Sequence, residues 1–329
     1  MKTRREILLA ATVWPALTWV ESVRAQAPAR IPRIGLLSNQ SVASEGDTHQ
    51  AFRLGLRDLG WIEGKNINIE YRYAEGKSDR LPHLAADLAR LQVDVIVAAT
   101  TSDALAAQKA THTIPIVMAA AGDPVASGLV KSLARPGANI TGLSQMSPQL
   151  AGKRLELLKE MVPRLSRVAV LWNPQGLAST LNWKEIQLPA RQLGLQLHSL
   201  EVRSSDDFDK AFEDATKSRA GALTIFAHPV TTTNLRWIAE LATKSRLPSI
   251  FQWSEFADAG GLAAYGQDRS DIFRRAAAFV DKILKGVKPG DLPVEQAIKF
   301  ELVINIKTAK VLGIAIPQSV LARADRVIE

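Results

Sequence analysis

The chain predicts an α/β protein built as two doubly wound, Rossmann-like lobes. Three observations carry this. Short apolar runs alternate with amphipathic segments from about residue 33 to the end. Several of those runs, such as Asp94 to Ala99 and Pro115 to Ala120, are apolar without a break, which suits strands buried on both faces of a parallel sheet. The pattern then restarts after Ser144, and 329 residues are enough for two domains of about 150 each.

The first half reads in order as follows. Arg33 to Ser38 is a short apolar strand ending in a polar residue, and Glu45 to Leu59 is a helix closed by Gly60. Asn66 to Tyr73 alternates strictly, with Ile67, Ile69 and Tyr71 on one face and Asn68, Glu70 and Arg72 on the other. Leu81, Leu84, Leu88 and Leu91 stand at helical spacing. The strand Asp94 to Ala99 leads into an alanine-rich helix, and Pro115 to Ala120 is the next strand. Strands and helices of these lengths imply right-handed crossovers in one doubly wound sheet.

After the Pro136-Gly137 turn comes a short strand, Asn139 to Ser144, and then a helix over Ala151 to Met161 stopped by Pro163. Arg167 to Trp172 resembles the first strand in pattern. Gln196 to Val202, Ala222 to Ala227, Pro248 to Gln252 and Leu262 to Tyr265 follow, with helices between them. Asp268 to Leu284 is a long helix, Pro289 to Pro293 a linker-like turn, and Phe300 to Ile306 a late strand before a helix that ends at Gly313. The organisation expected is a first lobe over 31–144 to which 268–297 returns, and a second lobe over 145–267 completed by 298–329. A chain that returns in this way crosses between lobes more than once.

The first residues have the layout of a secretory signal. Lys2, Arg4 and Arg5 precede an apolar run from Ile7 to Val20, and Ala25 and Ala27 offer cut points. Cleavage after Ala25 is expected, giving a periplasmic protein; export by the Sec or the twin-arginine route stays open. Removing the four basic and two acidic residues of that segment from the net charge of +8 leaves +6. The basic residues are scattered, so no nucleic-acid footprint is predicted. There is no cysteine, which excludes disulfides and thiolate metal sites.

Local catalytic signatures are missing. There is no P-loop, no G-x-G-x-x-G after a strand, no H-E-x-x-H and no G-x-S-x-G, and no two of the five histidines stand at metal-ligand spacing. No catalytic residue, metal or cofactor is therefore expected. A binding site is. Ligands of open α/β sheets sit beyond the carboxyl ends of the strands, which directs attention to Ser38 and Asn39, to Thr100, Thr101 and Ser102, and to Asp123. In the second half the same logic selects Trp172, Asn173, His228, Gln252, Tyr265 and Asp268. Hydroxyls and free backbone N–H groups at a helix start suit a carboxylate, although Thr101 or Ser102 can equally cap the helix. Asp123 can pair with an ammonium, although Asp before Pro is also an ordinary turn signal. Trp172, Phe226 and Trp253 can favour an aromatic or branched body, or be packing.

Three stretches carry a family resemblance: FRLGLRDLGWIEGKNINIEYRYAEG over 52–76, Asp94 to Ser144 with IPIVMAAAGDPVASGLVKSLARPGANITGLS inside it, and Tyr265 to Glu329 with FELVINIKTAKVLGIAIP and the ARADRVIE ending. They resemble the extracytoplasmic substrate-binding proteins of a bacterial ABC-transporter family that includes tryptophan and tyrosine binders. The resemblance implies a type I periplasmic-binding-protein fold with hinge crossings, a ligand in the cleft between the lobes, an inner-membrane ABC permease as partner, and no catalysis. It implies that the hydroxyls at Thr100 to Ser102 hold a carboxylate and that Asp123 meets an amine. The expected ligand is a small carboxylate, an amino acid with an aromatic or branched side chain, bound by a monomer. A periplasmic sensor for a receptor and a secreted α/β hydrolase are the alternatives that remain.

Overall fold

The computed structural model describes residues 30–329 except 146 and 297, with side chains described except at 43–45 and 147–149. The expected signal segment lies outside the described residues.

The first sheet is built from β1 (Arg33–Ser38), β2 (Asn68–Tyr73), β3 (Val95–Ala98), β4 (Ile116–Ala121) and β5 (Ile140–Ser144), connected by α1 (Val42–Asp58), α2 (Leu81–Arg90) and α3 (Thr101–Ala110). The chain then enters the second half through α4 (Ser147–Met161). There β6 (Arg167–Trp172), α5 (Leu177–Gln192), β7 (Gln196–Glu201), α6 (Phe208–Lys217) and β8 (Ala222–Ile225) follow in turn. Next come α7 (Pro229–Thr232), α8 (Leu235–Lys244), β9 (Ser249–Phe251), α9 (Glu255–Asp258) and β10 (Ala263–Gln267). Helix α10 (Arg269–Leu284) leads to a two-residue strand, β11 (Glu295–Gln296). The chain closes with β12 (Phe300–Asn305), α11 (Ile306–Leu312), α12 (Gln318–Leu321) and β13 (Arg326–Ile328).

The first sheet has the order β11-β5-β4-β3-β1-β2 and is parallel throughout; the second has the order β13-β12-β10-β9-β8-β6-β7, with only β10 and β12 antiparallel. Unbroken apolar runs are explained by two-sided burial. Along β3, Val95 and Val97 pack under α1 and α10, while Ile96 and Ala98 pack toward α2 and α3. The alternating β2 is an edge strand, and its Ile67, Ile69 and Tyr71 face joins the core beneath α1.

The chain passes between the sheets at three places: from β5 to α4, from β10 to α10, and from β11 to β12. Helix α10 leaves the second sheet and buries Ile272, Phe273, Ala276 and Val280 in the core of the first. The 289–293 turn is tied down as well. Leu292 and Val294 are buried, and Val294 N donates to the Leu133 carbonyl at 2.7 Å, which lays β11 beside β5. Pattern reading misses β11 because two exposed residues have no period; the passing chain pairs only because the sheet edge is there. Arg154 on α4 is fully buried and donates to the Tyr265 carbonyl of β10 at 3.3 Å, joining the starts of two crossings. Burial lowers its pKa to about 10, so it stays charged at neutral pH.

Helices α1 and α10 meet closely at Gly55. A Cβ placed there would lie 2.4 Å from the Arg274 carbonyl oxygen. Gly55→Ala is therefore expected to force the two helices apart and to cost about 1–3 kcal/mol of stability, as other overpacking changes do. Chemical denaturation of the purified protein measures this, and an unchanged midpoint would show that the returning helix is not held closely against the first lobe.

Candidate functional site

A cavity of about 340 Å³ opens where the carboxyl ends of both sheets meet. The first lobe contributes Asn39 and Gln40 after β1, Thr100, Thr101 and Ser102 after β3, Gly122 after β4 and Gln145 after β5. The second contributes Ser179 and Asn182 on α5, His228 and Pro229 after β8, and Gln252 and Trp253 after β9. Arg269, the first residue of α10, sits in the wall beside them, and Lys109 lies at the far end of α3. Leu81, Leu105 and Leu177 supply apolar wall.

The hydroxyls after β3 are partly committed. Thr100 caps α3: its backbone N and its hydroxyl both donate to Asp103 Oδ2, at 2.9 and 2.8 Å. Thr101 Oγ1 accepts from Gly122 N at 3.0 Å, pinning the turn after β4, and its own proton remains for another acceptor. Ser102 Oγ lies 3.0 Å from Thr100 Oγ1. Helix capping and contact with the cavity thus coexist at this position.

On the opposite wall the Arg269 guanidinium stacks over the Trp253 ring, 4.1 Å from its centroid, and donates to Glu255 Oε1 at 2.9 Å. Its side chain is only 10 % exposed, so a rigid, oriented cation lines the cavity. His228 Nδ1 accepts from Val230 N at 3.3 Å, which makes it the cap of α7 and leaves the ring proton on Nε2. Four amide atoms on buried lining residues have no hydrogen-bond partner: Asn39 Oδ1, Asn182 Oδ1, Gln252 Oε1 and Gln145 Nε2. Buried polar atoms are paired in nearly all native structures, so these four atoms are open to a partner from outside the protein. Across the cavity mouth, Thr232 Oγ1 donates to Gln40 Oε1 at 2.9 Å, a buried hydrogen bond between the lobes.

Of the residues expected from sequence, Asn39, Thr100, Thr101, Ser102, His228 and Gln252 meet at this cavity. Six others do not line it. Ser38 is buried and its Oγ accepts from Gln40 N. Asp123 orders its own turn, its Oδ1 accepting from Val125 N at 3.1 Å and Ala126 N at 2.9 Å. Trp172 is core, stacked on Trp183 at 5.2 Å with its Nε1 donating to Ser199 Oγ at 2.8 Å. Asn173 Oδ1 accepts from Gln175 N at 2.8 Å. Tyr265 stacks on Phe300 at 6.5 Å. Asp268 caps α10 through Asp271 N at 3.0 Å; burial raises its pKa, but the Lys299 ammonium at 2.6 Å outweighs this and holds it below the usual carboxylate range. Strand ends identified the right side of each sheet, yet alternate residues there face inward. Arg269 and Gln145 were missed because they belong to the crossings, and no local signal marks a crossing as a wall.

A family model of ABC transporter substrate binding proteins matches residues 37–328. The chain belongs to that family. A tyrosine-binding protein of Clostridioides difficile (strain R20291) is 27 % identical over 263 residues, covering 80 % of this chain and 75 % of that protein. The solved ABC domain from Streptococcus pneumonia in complex with L-Trp is 28 % identical with a TM-score of 0.84, covering 90 % of this chain and 99 % of that one. A ligand-free, open substrate binding protein with adhesive properties from Clostridium difficile is 25 % identical with a TM-score of 0.66, covering 91 % and 99 %. The fold is the two-lobed periplasmic-binding type that the resemblance implies. Members of this family are extracytoplasmic solute-binding proteins and not enzymes, and so is this one.

His228 gives the site a pH signature. Burial lowers its pKa to about 4 from an ordinary value of 6.5. Between those values the unfolded chain binds more protons than the folded one, so stability is complete above about pH 6.5 and falls as the pH drops toward 4. At about 1.4 kcal/mol per pKa unit the loss is on the order of 3 kcal/mol. Thermal unfolding from pH 7 to pH 5 should show this decline, and His228→Asn, which keeps an acceptor for the α7 cap, should flatten it. An equal decline in the variant would assign the effect to other groups.

Proposed function

We propose that this member of the family is a periplasmic protein that captures a small carboxylate-bearing molecule with an apolar body and delivers it to an inner-membrane ABC permease. The observation that carries the reading is the cavity itself: an oriented Arg269 on Trp253 faces the hydroxyls of Thr101 and Ser102 across a space of about 340 Å³. That volume suits a ligand of one or two rings. A carboxylate seated between them would accept charge-assisted hydrogen bonds from the guanidinium and neutral ones from the hydroxyls. Leu105, Leu177 and Trp253 would cover its apolar part. The tyrosine- and tryptophan-binding relatives favour an aromatic body.

Closure of the cleft is the step that the permease reads in this proposal. Gln40 and Thr232 lie on opposite lobes, so their hydrogen bond exists only when the lobes are together. The higher similarity to the L-Trp-bound domain than to the ligand-free open protein supports a closed arrangement here. A ligand that bridges the lobes adds contacts present only in that arrangement and shifts the population toward it.

The test is thermal unfolding of the mature protein with a panel of aromatic and aliphatic carboxylates and their neutral alcohol analogues. A carboxylate at about 100 times its dissociation constant should add about 2.7 kcal/mol of stability, and Arg269→Met should weaken its binding by about 10- to 100-fold. A ligand that binds equally well to the Arg269→Met protein, or an alcohol that binds as tightly as its acid, would remove the carboxylate from the reading.

A further inference from the structure

We infer that the cleft is built for a hydroxy-carboxylate, a monoanion whose second polar group is an uncharged hydroxyl, in preference to the corresponding zwitterionic amino acid. The inference rests on the cleft being the solute site, as proposed above, and specifies what that solute carries beside its carboxylate.

Charge is the first argument. Among the described residues no Asp or Glu lines the cavity, while two cations, Lys109 and Arg269, do. The carboxylates that stand near the strand ends are engaged elsewhere. Asp103 lies behind Thr100 and accepts from its backbone N and hydroxyl, Asp123 orders its own turn, and Asp268 pairs with Lys299. Glu255 pairs with Arg269 without lining the cavity. An ammonium entering this space would lose its hydration, find no carboxylate among the described lining residues, and share the cavity with the Arg269 guanidinium. A hydroxyl carries no such penalty.

Hydrogen bonding is the second argument, and it is independent of the first. Asn39, Asn182 and Gln252 are 0 %, 3 % and 6 % exposed, and the side-chain oxygen of each lacks a donor. A ligand with a carboxylate alone brings acceptors only and would leave all three unpaired. These oxygens call for a donor on the ligand, and the charge of the cavity requires that donor to be neutral. A hydroxyl meets both conditions for one of the three oxygens, since it has a single proton to donate. Gln145 Nε2, a buried donor without a partner, is available to its lone pairs, so that the group is held as donor and acceptor together.

The experiment is isothermal titration calorimetry, near neutral pH, with three ligands on one body: 3-phenyllactate, phenylalanine and 3-phenylpropionate. The same series on an indole body (indole-3-lactate, tryptophan, indole-3-propionate) allows for ring size. The hydroxy acid of the better-fitting body should bind about tenfold or more tightly than both its amino and its unsubstituted counterparts, the discrimination expected when a buried acceptor is left unpaired. On the Asn182→Leu protein the hydroxy acid should bind no more tightly than the unsubstituted acid measured on the same variant. Asn182 Oδ1 has no partner in the protein, so this variant sacrifices no internal bond at that atom. An amino acid that binds as tightly as its hydroxy analogue would overturn the inference and leave the carboxylate reading standing, as would a hydroxy acid no better than the unsubstituted acid. Binding by none of the six ligands would overturn the carboxylate reading and this inference with it.

Discussion

The structure depends on one topological constraint: one parallel and one mostly parallel sheet are joined at the carboxyl ends of their parallel strands. Parallel strands have their carboxyl ends on the same edge of the sheet. Because the chain passes from β5 to α4 and from β10 to α10 at those edges, they must face each other. The cleft is thus a consequence of connectivity, and the crossing segments are part of its wall. Gln145 follows β5 directly and Arg269 opens α10, and both line the cavity. The fully buried Arg154 binds the two crossings together through the Tyr265 carbonyl. Residues of the crossings and residues that line the cavity therefore overlap.

The polar groups of the cleft fall into two sets with different physical roles. One set is satisfied within the protein and holds the wall in shape: Thr100 with Asp103, Thr101 with Gly122, His228 with Val230, Arg269 with Trp253 and Glu255. The other set consists of single amide atoms left without a partner: Asn39 Oδ1, Asn182 Oδ1, Gln145 Nε2 and Gln252 Oε1. Rigid first members and unfilled second members together make a preorganised site, in which the cost of orienting the binding groups is met during folding and not on binding. The charges are similarly divided. The cations face the cavity, whereas Asp103, Asp123 and Asp268 are each drawn into caps and turns.

Sequence and structure agree best where the physics is local. Two-sided burial made β3 and β4 legible as unbroken apolar runs, and the strict alternation around β2 separated a core face from an outer one; its place at the sheet edge came from the structure. Helix ends were legible where a cap residue announced them, at Asp268 before α10 and at Gly313, which adopts the left-handed conformation after α11. The site was legible to the level of strand ends. Thr100 to Ser102 and Asn39 reached the cavity, while Ser38, one residue before Asn39, turned into the sheet.

What the sequence by itself determined is the layered α/β plan, the doubled strand-and-helix pattern, and the edge of each sheet on which a ligand would lie. These follow from hydrophobic periodicity and turn chemistry, which act over a few residues. The tertiary structure alone decided which strand-end side chains share a cavity and which serve as caps. Asp123 and Asp268 have the right chemistry for an amine but spend it on Val125, Ala126, Asp271 and Lys299. Arg269 carries no motif, yet it becomes a wall of the cavity because a crossing sets it against Trp253, which follows β9 in the second sheet. Such juxtapositions depend on the relative placement of two sheets, and that placement is fixed by long-range packing that no local pattern records.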